Sequence, residues 1–357
     1  SANMSAQQNY MPEASSRAPF WYVIYFGLCL PVLIYLIKYA VTTYSIKACI
    51  PAPEAWQIYY GAQFQPYYVA KTEYVAFCLP VLAIAFGQIR VLALSPVRLR
   101  LHEWVEVVIY ALTIFATLIL FYVQDIKNGM AYAALCLLIF LLSLFFGNRP
   151  SSKLYKKAIL AIFVFLSFAV VLFPHVKKND SWRTLVADAK VAFQLDRYQH
   201  WKYAGAQGYP NNEFGQMVSV TNYERAAWFK VGLQLSFREP LGYGLIEDSF
   251  KRIAKGVWPE VSPNLSHSHS GWLDLVLAIG IPGFILIIGT LVLLIKQSAA
   301  LFQPWEGLVI WSLVANALLW LTTEVCATVP FAALIFWIAW ASGLTLISTR
   351  ELRKDLD

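Results

Sequence analysis

Charge is what this chain has least of. Only 14% of its 357 residues are Asp, Glu, Lys or Arg, where ordinary globular chains carry about 25%, and 59% are hydrophobic. That balance excludes a soluble globular domain. Cysteine is scarce too: Cys29, Cys49, Cys78, Cys136 and Cys326 are scattered, mostly inside apolar runs, with no Cys-x-x-Cys and no Cys/His spacing. Neither a disulfide framework nor a zinc site can be built from them, so no metal or cofactor is expected. The sequence also lacks internal repeats and low-complexity tracts.

What it has instead is a series of apolar runs of 18 or more residues, each long enough to cross the roughly 30 Å of bilayer hydrocarbon. Hydrocarbon offers no partner to backbone amides, so a crossing segment must be a helix or part of a closed barrel. These runs are continuous rather than alternating, which selects helices. The expected fold is therefore all-α: a polytopic integral membrane protein. Spans are expected near residues 19–41, 68–89, 104–123, 129–147, 156–174, 270–295, 305–322 and 325–346. The opening Ser-Ala-Asn-Met reads as a cloning remnant with no cleavable signal after it, leaving the first span as the targeting signal. Residues 42–67 are aromatic and broken by proline, and read as an interfacial loop.

The formal net charge of +7 would suit nucleic acid, but its distribution argues against that partner. Arg90, Arg98 and Arg100, then Arg149, Lys153, Lys156 and Lys157, then Arg350, Arg353 and Lys354 all fall on one side of the expected spans. By the bias of basic residues toward the cytoplasm, those segments are inside. The chain divides into a cytoplasmic tail at 1–18, five spans over 19–174, a large external loop at 175–268, three spans over 269–347 and a tail at 348–357. A long loop of mixed charge and many aromatics commonly carries function. Inside it, residues 181–195 and 221–237 have helical periodicity, the second capped by Thr221 or Asn222, and Pro240, Gly242 and Gly244 then force a turn. The loop reads as a helical cap over the spans.

Titratable residues cluster where that loop re-enters the membrane. "HSHSGWLDLVLAIGIPG", residues 267–283, places His269 and Ser270 before the sixth span and ends in Gly280-Ile-Pro-Gly283. An imidazole with an ordinary pKa near 6.5 can accept a proton at neutral pH, which makes His269 the best candidate for a general base. His267 is expected to point to a different face. Lys38, Lys71 and Lys127 stand at the outer ends of spans, against the basic-inside bias. Snorkelling explains any one of them; three together favour an anionic ligand at that depth. Asp274, five residues beyond His269, is too far round a helix to orient the ring, whereas Glu324, in the outer turn after the seventh span, could reach it. Gly280, Pro282 and Gly283 suit a kink and a close approach.

Read from His269, the pattern His-Ser-x9-Gly-x-x-Gly resembles the signature of the O-antigen ligase family, whose superfamily includes O-antigen polymerases and pilin O-oligosaccharyltransferases. The upstream stretch "ERAAWFKVGLQLSFREPLGYG" is similar to that superfamily's Arg, Trp and Pro-x-Gly-x-Gly elements. With the order of spans, the likeness covers roughly residues 120–300. Two features depart from the family: about twelve spans are usual, and its Ser-Arg-Gly is replaced here by Lys127-Asn128-Gly129.

The resemblance implies a GT-C-like enzyme of the bacterial inner membrane, its site facing the periplasm. It implies transfer of a glycan from undecaprenyl pyrophosphate to a hydroxyl acceptor, in ligases the lipid A-core of lipopolysaccharide. No metal would be used and the configuration would invert. His269 would be the base, with Arg225 first and Arg197, Lys127, Lys71 and Lys38 behind it as pyrophosphate-binding cations, since guanidinium matches phosphate oxygens two at a time. The polymerase and protein-glycosylating branches share the motif. A transporter of the lipid-linked sugar and a non-catalytic scaffold are the readings from other classes. For the topology, alkaline phosphatase fused after residue 210 should be active and fusions after residues 150 or 353 inactive; the opposite pattern would invert the assignment.

Overall fold

The computed structural model describes residues 18–58, 69–95, 99–146, 154–244, 248–265, 267–298, 301, 303–322 and 336–344. Among these the chain is all-helical, with no strand. Its helices are α1 (Ala18–Ala48), α2 (Lys71–Ala93), α3 (Leu101–Val123), α4 (Lys127–Phe146), α5 (Leu154–Lys178), α6 (Asp180–Arg183), α7 (Leu185–Ala192), α8 (Val220–Arg238), α9 (Ser249–Val257), α10 (Gly271–Ser298) and α11 (Trp305–Leu319). Residues 336–344 are also helical. Six helices, α1 to α5 and α10, are long and apolar enough to cross a membrane, so the protein is a multi-pass membrane protein. The fifteen residues of α11 rise only about 22 Å. Most of the eighth expected span lies outside the described residues.

Two compact units divide the chain, residues 1–68 and 69–357. In the first, α1 runs seven residues beyond the expected end at 41, so Lys38 is inside the helix rather than near its exit. Thr42 Oγ1 accepts a hydrogen bond from the Ile58 amide at 3.0 Å, folding the segment after α1 back along it.

In the second unit α2 is central, every residue from Cys78 to Ile89 being buried, whereas α5 is largely exposed. Glycine explains part of that closeness. A Cβ at Gly87 would lie 2.1 Å from the Trp311 ring of α11, and one at Gly307 would lie 2.5 Å from Gln88 Nε2. Gln88 Nε2 in turn donates to the Pro304 carbonyl at 3.0 Å. The outward face of α5 is almost wholly apolar, with Ile159, Ile162, Phe163, Leu166, Val170 and Phe173 exposed and the one hydroxyl among them, Ser167, bonded to the Phe163 carbonyl at 2.8 Å, as a lipid-facing helix requires.

Residues 179–270 form the cap. Its core joins Trp201, Tyr223, Trp228, Val231, Leu235, Phe250 and Ile253 to Leu277 of α10, so cap and span share one apolar cluster. The expected helix at 181–195 is broken into α6 and α7 at Thr184, whose hydroxyl turns to Asp188 Oδ2 at 2.7 Å. Helix α8 begins at Val220, so neither Thr221 nor Asn222 caps it; the N-cap is Ser219.

The Pro240–Gly244 turn fits against a break in α10. Gly280 has φ 73° and ψ 175°, which splits α10 into two helical stretches. The amides of Tyr243 and Gly244 donate to the Leu277 and Ala278 carbonyls, both at 2.7 Å, and the Ile281 amide donates to the Pro240 carbonyl at 2.9 Å. The hydrogen bonds that α10 loses at its break are thus returned by the turn. Both glycines are obligatory: a Cβ on Gly242 would lie 2.3 Å from the Gly280 nitrogen, and one on Gly280 would lie 2.4 Å from the Leu241 carbonyl carbon. The glycine pair therefore admits a close approach of backbone to backbone rather than of helix to helix. Gly280→Ala should lower stability by about 1–3 kcal/mol from backbone strain alone, read as a lower thermal transition in detergent. Gly289→Ala, where a Cβ meets open space, should change it little.

Candidate functional site

The residues that carry charge into the second unit meet where α2 and α4 begin and α5 ends. Lys71 opens α2 and its Nζ reaches the Asp125 carbonyl at 3.5 Å. Asp125 sits in the tight α3–α4 turn with φ 52°, and its carboxylate takes Asn179 Nδ2 at 3.0 Å. The buried His175, near the end of α5, places Nε2 3.5 Å from the same carboxylate, and its Nδ1 accepts from Trp182 Nε1 at 3.2 Å.

Lys127, the first residue of α4, lies one step along this network. Its Nζ approaches Ser181 O and Oγ at 3.4 Å and donates to Asn222 Oδ1 on α8. Its ammonium lies 5.5 Å from the Trp182 ring centroid. Asn222 uses its amide protons on Ser181 O and Asp188 Oδ2, both at 2.8 Å. Asp188 is fully buried. It also accepts from Thr184 Oγ1 at 2.7 Å, Asn212 Nδ2 at 2.9 Å and the Ser219 amide at 3.2 Å. A carboxylate removed from water needs such donors and a nearby cation, and Lys127 is close enough to feel its charge.

Arg225 enters from the next turn of α8, where its Nη1 donates to Asn128 Oδ1. Arg225 and Lys127 are near enough to repel. Lys127 and Asn128 therefore both touch α8. Three residues after Arg225, on the same helical face, Trp228 stacks on His269 with ring centroids 5.0 Å apart and planes 14° from parallel. Trp228 is only 5% exposed, and its Nε1 is tied to the Trp201 carbonyl at 2.9 Å. One turn further, Gly232 has no room for a Cβ, which would lie 2.4 Å from Leu273 Cδ2. A single stripe of α8 thus runs from the cations to the imidazole to α10.

His269 is not on the helix. It precedes α10 by two residues and has φ 58°, a left-handed conformation that is uncommon for any residue with a side chain. Asp274 holds the backbone just before it. Its Oδ1 accepts from the Ser268 amide at 2.9 Å, while Ser268 Oγ donates to the Ser270 carbonyl at 3.1 Å. Because the segment is a loop, His267 does not face away: its ring centroid is 4.4 Å from that of His269. Arg197 is exposed, its guanidinium 5.3 Å from the Tyr198 ring, and the described contacts do not bring it to Lys127, Arg225 or His269. Lys38 belongs to the first unit, and Glu324 lies outside the described residues.

Asn128 and Asp188 do not stand out in the sequence, and the contacts of Asn222, Trp228 and Asp274 cannot be read from it. The signal for Asp188 was its place among Ala187, Val191 and Ala192, which form the buried face of α7, where a carboxylate must be answered by donors. Nearby, burial and a hydrogen bond to Glu224 push the Tyr209 phenol well above its usual range. Burial likewise pushes Tyr223 up to about 12. Both phenols are therefore neutral donors at physiological pH. Among the described residues no group of three or more His, Cys, Asp or Glu could hold a metal ion.

Comparison with known proteins returned no match: no family model, no curated protein and no solved structure is significantly similar to the chain.

Asp188→Ala should strand four donors and cost about 3–5 kcal/mol, seen as early proteolysis within residues 179–270. The cycle of Asp188→Asn, Lys127→Met and both together should show a favourable coupling above about 0.5 kcal/mol. Additive effects would separate the two charges.

Proposed function

We propose that the protein is a membrane glycosyltransferase of the O-antigen ligase kind. It would transfer a glycan from undecaprenyl pyrophosphate to the lipid A-core hydroxyl in lipopolysaccharide synthesis, in the bacterial inner membrane with the site facing the periplasm. One observation carries the reading. The motif histidine, the motif arginine and the lysine that opens α4 come from three distant stretches of sequence, and the α8 face bearing Arg225 and Trp228 joins them.

In this reading the acceptor hydroxyl oxygen attacks the anomeric carbon of the donor, and the bond from that carbon to the pyrophosphate oxygen breaks. The electron pair leaves with pyrophosphate, the acceptor proton passes to His269, and a single displacement inverts the configuration. Arg225, Lys127 and Lys71 would stabilise the charge that develops on the leaving group; fixed cations in a site shielded from water act strongly because they need no reorganisation. Trp228 would keep the ring in one orientation, and its π-face favours a ring that has become cationic. Arg197 and Lys38 gain no support from the geometry and are left out of the clamp.

The polymerase and pilin-glycosylating readings differ only in the acceptor, so lipopolysaccharide ligation and pilin glycosylation assays separate them. A transporter would place its charges near the middle of several spans, whereas Lys71 and Lys127 here stand at helix starts. In proteoliposomes with the lipid-linked donor, His269→Ala should lower kcat about 10²–10⁴-fold with normal membrane insertion. Arg225→Ala should chiefly raise the donor KM. EDTA should leave the rate unchanged; loss of activity restored by a divalent ion would overturn the cation clamp, and full activity of His269→Ala would overturn the base.

A further inference from the structure

We infer that one flank of α8 and the turn after it form a lipid-contacting surface, so that this helix of the cap lies in the bilayer interface with its apolar flank among acyl chains. Phe229, Leu233 and Phe237 recur at four-residue steps and are 41%, 39% and 77% exposed, and Leu241 in the turn reaches 79%. Four-residue steps drift by only about 40° each around a helix, so these side chains form one stripe. The opposite side of α8 is filled by Val231 and Leu235, both fully buried in the cap core. Beside the stripe, along the C-terminal half of α8, the exposed residues are polar, Gln234 and Arg238. Three sectors, buried, apolar-exposed and polar-exposed, suit a helix that rests on protein, lipid and water at once.

Continuity with the lipid-facing part of α10 selects acyl chains as the occupant. At its C-terminal end the stripe runs through Pro240 and Leu241, which pack on Gly280 and Ile281. From there Ile281, Ile285 and Leu286 are 36%, 61% and 72% exposed on α10. By contrast Leu273, Asp274, Leu275, Leu277 and Ala278, before the break, are buried in protein. The part of α10 after the break, residues 281–298, rises about 27 Å, close to the roughly 30 Å of hydrocarbon. The break and the turn against it therefore sit near the hydrocarbon boundary. Irregular backbone is tolerated there only when its polar groups are satisfied by protein, and the turn's amides are satisfied by the α10 carbonyls. Arg225 lies one helical turn from Phe229, which sets the cation cluster beside lipid.

The surface is tested by nitroxide scanning of the full-length protein in liposomes, with native cysteines replaced and single cysteines at Phe229→Cys, Leu233→Cys, Phe237→Cys, Leu241→Cys, Gln234→Cys and Arg238→Cys. The first four labels should collide more with oxygen than with a water-soluble nickel chelate, and the last two should show the reverse. Water-like accessibility along the stripe overturns the inference. So does low accessibility to both reagents with dipolar broadening between labels, which means that a second copy covers the stripe. The measurement does not depend on any enzymatic activity, so it stands or falls apart from the proposed reaction. Should one cysteine variant fail to insert, the remaining stripe positions decide it.

Discussion

A buried carboxylate governs how the cap is attached. Asp188 is removed from water and takes four hydrogen bonds, from a helix-breaking threonine, a turn asparagine, the amide before α8 and an asparagine on α8. Each donor comes from a different point of the cap, so the carboxylate fixes α6, α7, the 211–217 turn and α8 relative to one another. Its negative charge is answered by Lys127 at the start of α4, with Asn222 between them. Buried charges are weak sources of net stability, but leaving one unanswered is expensive. The interaction therefore specifies geometry: only one placement of α8 on α4 satisfies both charges.

The second attachment uses no side chains. At Gly242 and Gly280 two backbones approach so closely that neither tolerates a Cβ, and the amides of the turn take up carbonyls that the break in α10 releases. One end of α8 is thus held electrostatically and the other by backbone complementarity. Arg225 and Trp228 lie between them, which explains why a helix of modest length can orient a guanidinium and an indole together.

Much of the scaffold could be read from the amino-acid order, because the requirement to satisfy backbone groups in hydrocarbon leaves a strong hydropathy signal. The limits of α3, α4 and α10 fall within three residues of the expected ones. Signals that depend on tertiary contact were not legible. Nothing local indicated that Thr184 would interrupt the 181–195 helix, since the cause is Asp188 and its distant donors. His267 was misplaced because helical geometry was extended into a loop whose left-handed residue turns the two rings together. Asp274 was dismissed for its angle to the ring, yet it holds the backbone one residue before it. Trp228 could be seen in the motif but its stacking could not, because ring contacts depend on how α8 meets the loop. Lys127 was singled out from its place at a span end, and the structure adds what no spacing reveals, its bond to Asn222.

The conformation of His269 links these parts to chemistry. A left-handed histidine costs on the order of 1–3 kcal/mol and persists only where its surroundings over-determine it. Here the surroundings are specific: Asp274 holds the Ser268 amide, Ser268 and Ser270 close a tight turn, Gly232 leaves space for Leu273 of α10, and the Trp228 ring lies against the imidazole. The strain is thus balanced by contacts that all derive from α8 and α10, the two helices fixed by the Asp188 network and the glycine pair. In the proposed reaction an imidazole held this way would lose little further freedom when a substrate arrives. Preorganisation of this kind would lower the barrier of the proposed transfer without reorganisation at the moment of reaction. It also couples the two groups, since any shift of α8 displaces the imidazole stacked on Trp228 and the Arg225 guanidinium together.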